Sequence, residues 1–104
     1  MTARHVSIEA FANEVLDSER PTLVDFYADW CSPCRAMAPV VDELAHDLDG
    51  RVNVVKVNVD DSPALAREYG VQSIPTFIVV RGGDATQRLV GIQTKQALVK
   101  AVAG

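Results

Sequence analysis

The sequence has little cysteine, few aromatic residues and no excess of positive charge. Its 104 residues include only two cysteines and 6% aromatic residues, and the formal net charge at pH 7 is -4. An acidic chain lacks the lysine and arginine clusters that neutralise phosphates, which argues against nucleic-acid binding. No apolar run approaches the roughly 20 residues that span a bilayer, so we expect no membrane insertion.

The N-terminal stretch "MTARHVSIEA" has no apolar core of the kind found in signal peptides, so we expect a cytoplasmic location. The length suits one compact domain, residues 1–104, and we expect a monomer. With 48% hydrophobic residues, such a domain can form a core without disulfide cross-links. In a reducing compartment a cysteine pair is more often catalytic or metal-binding than purely structural.

Hydrophobic periodicity predicts helices that alternate with strands. Ser7 is a candidate N-cap for an amphipathic helix that ends near Asp17, and a second helix carries apolar residues from Met37 until Gly50 ends it. Short apolar or β-branched runs at 22–28 and 52–59 predict buried strands between and after these helices.

The second half of the chain predicts a short helix, a hairpin and a closing helix. Pro63 suits the first turn of the short helix, and Thr94 opens the closing one. The glycines of "RGGD" predict a hairpin between strands at 76–80 and 85–91. With a weak strand at about 3–6, this order predicts an α/β fold with a mixed sheet and helices on both faces.

Both cysteines and the only tryptophan lie in "WCSPC", residues 30–34. A structural zinc site needs four ligands, and only His5 and His46 could add to the cysteines, without zinc-finger spacing, so we expect no metal. Two unrelated buried cysteines are a second alternative, but they leave the position between a strand and a helix unexplained. Thiol–disulfide exchange is the favoured interpretation.

The position of the pair suggests different roles for its two thiols. Pro33 fits the first helical turn, so Cys31 should lie at the helix N-terminus, where unpaired backbone N–H groups favour a thiolate. We expect Cys31 to be the more exposed sulfur and Cys34, one turn later, to be the buried one.

Residues 24–45, "VDFYADWCSPCRAMAPVVDELA", resemble the active-site segment of the thioredoxin family, whose usual centre is W-C-G-P-C. The likeness continues in the family's order through 54–83 and 89–102. It implies the thioredoxin fold, with about five strands in a central mixed sheet flanked by four helices, and protein-disulfide reductase activity. It also implies no bound cofactor, with electrons supplied by NADPH through thioredoxin reductase, and many disulfide-containing proteins as further partners.

The resemblance assigns the chemical roles to four residues. Cys31 matches the attacking cysteine, and Cys34 matches the resolving cysteine that leaves a Cys31–Cys34 disulfide. Asp25 matches a buried proton acceptor beneath the resolving cysteine, although a solvent-facing aspartate is the alternative. Lys56 matches an auxiliary lysine near that aspartate, and its alternative is a lysine at a half-exposed strand position.

The resemblance also implies a substrate-binding surface around the first cysteine. Ile74 would pair its backbone with an extended substrate segment, and Pro75 would be cis, whereas a trans proline that opens a strand is the alternative. The substrate-binding residues that the resemblance implies are Trp30, Ser32, Pro33, Val59, Ile74, Pro75, Val90, Gly91 and Ile92. Taken singly, each apolar member is better explained as a core residue, and only the resemblance gathers them on one face; Gly91 alone also fits an ordinary strand end.

Three departures from the family pattern concern the same region. Ser32 replaces the usual glycine, which leaves the redox potential open, whereas Tyr27 replaces a second tryptophan and Arg35 keeps the charge of a common lysine. Two further functions remain as alternatives: a redox-independent binding module that uses the same apolar face, and an oxidant or isomerase, since the direction of exchange depends on potential.

Overall fold

A computed structural model describes residues 3–103 of the chain. The strands are β1 Arg4–His5, β2 Thr22–Tyr27, β3 Asn53–Asn58, β4 Thr76–Arg81 and β5 Asp84–Val90. The helices are α1 Ile8–Phe11, continued by a π-helical stretch Ala12–Leu16, then α2 Ser32–Asp47, α3 Pro63–Glu68 and α4 Lys95–Ala103. Within the described residues, no helix is both long enough and apolar enough to cross a membrane.

The strands form one mixed sheet in the order β1-β3-β2-β4-β5. The strands β1, β3 and β2 are parallel, and β4 and β5 complete the sheet in antiparallel pairing. This arrangement confirms the predicted α/β fold of five strands and four helices. The weak N-terminal strand exists, but it spans only two residues.

Local sequence signals account for several boundaries. The hydroxyl of Ser7 accepts a hydrogen bond from the backbone N–H of Ala10, and that of Thr94 accepts one from Ala97. Gly82 and Gly83 have φ values of 56° and 85° in the β4–β5 turn, a conformation that favours glycine. The first helix ends near Asp17 as predicted, although its final π-helical turns have no signal in the apolar spacing.

Alternation along the strands divides the core between the two faces of the sheet. Leu23 and Phe77 pack on one face against Val41 of α2 and Leu98 of α4. On the other face, the packing residues are Val24, Phe26, Ile78, Phe11 and Leu65. The strand β2 has a neighbour on each edge and helices over each face, so all six of its residues are buried. One of those six is an aspartate.

Candidate active site

Cys31 and Cys34 lie where β2 leads into α2, and they form a disulfide. Cys31 is the N-cap of α2, and its Sγ accepts a 3.2 Å hydrogen bond from the backbone N–H of Cys34. Pro33 occupies the first helical turn, where a missing N–H removes no helical hydrogen bond. The helix end therefore directs a backbone donor at the sulfur of Cys31, which in the dithiol form favours the thiolate.

The two cysteines are buried to the same degree, so the prediction that Cys31 is the more exposed is wrong. Their exposed fractions are 4% for Cys31 and 6% for Cys34. Half-buried Val59 and Ile74 pack against the buried cluster that contains both cysteines, and the Sγ of Cys31 lies 3.7 Å from the carbonyl oxygen of Ile74. The residues that bury Cys31 are remote from it in the sequence, so its position before the helix does not predict its burial.

Asp25 is buried in β2, with 2% of its surface exposed. The solvent-facing alternative is therefore wrong. No described group donates a hydrogen bond to its Oδ1. Burial raises the pKa of Asp25 from 3.8 to about 7, while the charge of Lys56 lowers it and that of Asp42 raises it. Near neutral pH this carboxyl can take up or release a proton, as general acid–base chemistry requires.

Lys56 is the neighbour of Asp25 across the parallel β2–β3 pair. Lys56 is half-buried on β3, which agrees with the alternative of a lysine at a half-exposed strand position. Its charge nevertheless lowers the pKa of Asp25. The Nζ of Lys56 lies 4.4 Å from the ring centroid of Tyr27. The Tyr27 hydroxyl shares a 2.8 Å hydrogen bond with Nδ1 of His5. This last pairing has no signal in the sequence, because it depends on the register of a two-residue strand.

The proposed substrate surface lies around the Ile74–Pro75 peptide bond, which is cis. The backbone N–H of Gly91 donates a 2.8 Å hydrogen bond to the carbonyl of Pro75, so the end of β5 lies beside this bond. Trp30, Val90 and Ile92 are 68%, 52% and 65% exposed, which excludes the core alternative for these three. Val59 and Ile74 are partly buried against the cluster that contains the cysteines.

Two contacts near the cysteines have no local sequence signal. The indole N–H of Trp30 donates a 2.8 Å hydrogen bond to Asp60, 30 residues away. The guanidinium of Arg35 donates to the carbonyl of Asp29 and to the hydroxyl of Ser32. Among residues 3–103, no group of three or more His, Cys, Asp or Glu side chains could hold a metal ion.

Comparison with known proteins places the chain among relatives of similar length. The thioredoxin family model matches residues 2–104. The chain is 49% identical over 96 residues to thioredoxin 1 of Nostoc sp., which covers 92% of this chain and 90% of that protein. It is 50% identical over 93 residues to a thioredoxin of Synechocystis sp., covering 89% and 87%. It is 41% identical over 97 residues to a thioredoxin of Rickettsia felis, covering 93% and 92%.

The family match extends over both the sheet and the disulfide at the start of α2. A Cys-x-x-Cys pair at this position is the reactive group of thiol–disulfide exchange. The chain belongs to the thioredoxin family of thiol–disulfide oxidoreductases.

Proposed function

We propose that the chain reduces protein disulfides with Cys31 as the nucleophile and Cys34 as the resolving thiol. The observation that carries this assignment is the hydrogen bond from the Cys34 N–H to the Sγ of Cys31 at the helix N-terminus. This donor and the helix dipole lower the free energy of a thiolate on Cys31. Cys34 lies inside the first turn as the third residue of the helix, so its sulfur is not at the capping position.

In the first step, the Cys31 thiolate attacks one sulfur of a substrate disulfide. A new bond forms between Cys31 and that sulfur, and the substrate S–S bond breaks. The other substrate sulfur leaves as a thiolate and takes a proton from water. The product is a mixed disulfide between the substrate and Cys31.

In the second step, the Cys34 thiol loses its proton and attacks the Sγ of Cys31. We assign the proton to Asp25, whose pKa of about 7 allows the carboxylate to accept it near neutral pH. The mixed disulfide breaks, the second substrate thiolate leaves, and a Cys31–Cys34 disulfide remains. Two electrons have then passed from the cysteine pair to the substrate, without a bound cofactor in the cycle. Lys56 serves as an auxiliary group that moderates the pKa of Asp25.

Substrate binding is assigned to the surface that surrounds the cysteines. An extended substrate segment would pair with the backbone at Ile74, next to Pro75. The exposed apolar side chains of Trp30, Val90 and Ile92 support contact with apolar substrate groups. Ser32, Pro33, Val59 and Gly91 complete the proposed surface.

We assign the regeneration of the dithiol to an NADPH-dependent thioredoxin reductase. The proposed setting is the cytoplasm, where reducing power from NADPH is available, and the proposed working form is a monomer of one domain. Family membership supports a reductase and disulfide-containing proteins as partners in general.

The test is reduction of insulin disulfides, coupled to NADPH oxidation by a thioredoxin reductase. We expect turnover with the native chain and none with the Cys31→Ser, Cys34→Ser double variant. Folded native protein without turnover would overturn the reductase assignment. A partner-dependent activity that survives in the double variant would instead support the redox-independent binding module.

A further inference from the structure

Three adjacent strands bring charged and aromatic side chains into one row. In the parallel register, His5 of β1 lies opposite Lys56 of β3, and Lys56 lies opposite Asp25 of β2. Tyr27 follows Asp25 by two residues, so its side chain lies on the same face of the sheet. This face also packs against α2, which carries the cysteine pair at its start.

Two contacts tie this row together around the ring of Tyr27. The hydroxyl of Tyr27 shares a 2.8 Å hydrogen bond with Nδ1 of His5, and the two rings meet edge to face with centroids 5.6 Å apart. The ammonium of Lys56 lies 4.4 Å from the centroid of the Tyr27 ring, within the range of a cation–π interaction. One aromatic ring therefore contacts both a histidine and the lysine that faces Asp25.

We propose that Tyr27 and His5 are positioning residues that hold the ammonium of Lys56 beside Asp25. The lysine side chain has four rotatable carbon–carbon bonds, and it also borders a cavity of about 290 Å³ that His5 and Asn58 help to line. An ammonium drawn into that cavity would be hydrated and farther from the carboxylate. The ring of Tyr27 keeps it over β2, and the bond to His5 fixes the orientation of the ring.

The proposal rests on the proposed function, because the position of Lys56 matters for the reaction only if Asp25 accepts the proton of Cys34. Other charged and polar groups on neighbouring elements change the pKa values of Asp25 and Tyr27. Asp42 of α2 raises the pKa of Asp25. Burial raises the pKa of Tyr27 and a hydrogen bond from Asn58 lowers it, while the charges of Asp29, Asp25 and Asp61 raise it further. All of these groups remain when the Tyr27 hydroxyl is removed.

The experiment follows the titration of Asp25 directly, by carbon-13 NMR of its carboxyl group in the oxidised protein. In Tyr27→Phe we expect the midpoint to rise by about half a pH unit, because the ring loses its bond to His5, holds the ammonium over β2 less firmly, and so weakens the attraction between Lys56 and the carboxylate. His5→Phe should produce a rise in the same direction, because it keeps an aromatic ring but removes the partner of the hydroxyl. The two substitutions together should give no more than the larger single shift.

The decisive comparison uses a background without the lysine charge. Lys56→Met should raise the midpoint by itself, and adding Tyr27→Phe should then change nothing further. Arg4→Gln is the matched control, because it removes an ion pair with Glu14 from the same short strand on the opposite face and should leave the midpoint unchanged.

An unchanged midpoint in folded Tyr27→Phe, or an equal rise with and without Lys56, would overturn the proposal. Poor folding of that variant would not remove the test, because His5 lies on the exposed edge strand and His5→Phe can be titrated alone. Failure of the proposed function has a different signature. Asp25→Asn would then leave release of the mixed disulfide unchanged, whatever the NMR titrations show.

Discussion

The guanidinium of Arg35 donates a 3.0 Å hydrogen bond to the hydroxyl of Ser32 and a 2.8 Å hydrogen bond to the carbonyl of Asp29. One side chain of α2 thus joins the first of the two residues between the cysteines to the loop that precedes them. A glycine in place of Ser32 could not form the first of these bonds. Both ends are exposed to water, so we expect a contribution of about 1 kcal/mol or less.

Replacing Ser32 with glycine should change the reduction potential of the cysteine pair only slightly. The substitution removes the bond to Arg35 and frees the backbone between the cysteines. We expect a shift of a few tens of millivolts at most, where about 30 mV corresponds to 1.4 kcal/mol for two electrons. Equilibration against glutathione measures it. Ser32→Ala is the matched control, because it removes the hydroxyl and keeps the Cβ. Loss of all reductase activity in Ser32→Gly would contradict the prediction.

The Cys34→Ser variant should accumulate a mixed disulfide between Cys31 and a substrate protein. The helix end favours the thiolate of Cys31, and no second thiol remains to release the substrate. Mass spectrometry of the adducts identifies the linked cysteine. Cys31→Ser is the control, and it should trap little substrate. Equal trapping by the two variants would refute the assignment of roles.

Asp25 should make the protein less stable as the pH rises. Its pKa is about 7 in the folded chain and close to 3.8 when unfolded, so the folded state keeps the proton to higher pH. The stabilising contribution of Asp25 to the free energy of unfolding is complete below pH 3.8 and is lost as the pH rises through 7. At about 1.4 kcal/mol per pKa unit, the loss is on the order of 4 kcal/mol. Asp25→Asn should therefore be stabilising at pH 8 relative to the native chain, and much less so at pH 4.

Urea unfolding of the native chain and Asp25→Asn at these two pH values measures this difference. Asp42→Asn is a useful control, because it removes a carboxylate that raises the pKa of Asp25 and leaves Asp25 itself in place. Its stability should depend on pH in the same direction as that of the native chain. A variant Asp25→Asn that is destabilised at pH 8 would show that the buried carboxylate has a structural role.

The same substitution should slow the release of substrate from the mixed disulfide. Without the carboxylate, the thiol of Cys34 must give its proton to water. We expect a decrease of about 100-fold, at the low end of typical general-base contributions. Single-turnover kinetics with a preformed mixed disulfide isolate this step. The first step should change little, and an unchanged release rate would remove Asp25 from the mechanism.

Ile92→Asp should weaken reduction of protein disulfides more than reduction of a small aromatic disulfide. The side chain of Ile92 is 65% exposed beside the segment that contacts Pro75, where a charge would oppose apolar contact. We expect the KM for a protein substrate to rise about tenfold, or about 1.4 kcal/mol, with little change in kcat. Val99→Asp on α4 is the matched control. Equal effects of the two substitutions would exclude Ile92 from the substrate surface.

The spacing of apolar residues predicted the strands and helices, because most helices bury a regular apolar stripe and most strands bury a short apolar run. The capping signals at Ser7 and Thr94 and the double glycine in the hairpin are local, so they could be identified without the fold. The cysteine pair and its place at the start of α2 were predicted in the same way. Burial of Asp25 was not decided by pattern alone, because an aspartate in an apolar strand can face either side.

Contacts between remote segments account for what the sequence did not reveal. The contact between Ile74 and Cys31 joins residues 43 positions apart in the sequence, and the hydrogen bond between Tyr27 and His5 joins residues 22 positions apart. The second of these depends on the pairing of β1 with β3, which only the assembled sheet defines. The π-helical turns before Asp17 also have no signal in the apolar spacing.

The order of strands in the sheet has a consequence for biosynthesis. The strand that holds Asp25 is synthesised early, but its two neighbours, β3 and β4, follow only after α2 and α3. A nascent chain on the ribosome therefore cannot close the sheet around β2 until Thr76–Arg81 has left the exit tunnel. Until then the β2 edge that pairs with β4 has no partner strand, although five of the six β2 residues carry apolar or aromatic groups or a methyl. The carboxylate at the centre of the strand, ionised near neutral pH in an unfolded chain, loses its hydration only when the sheet closes around it.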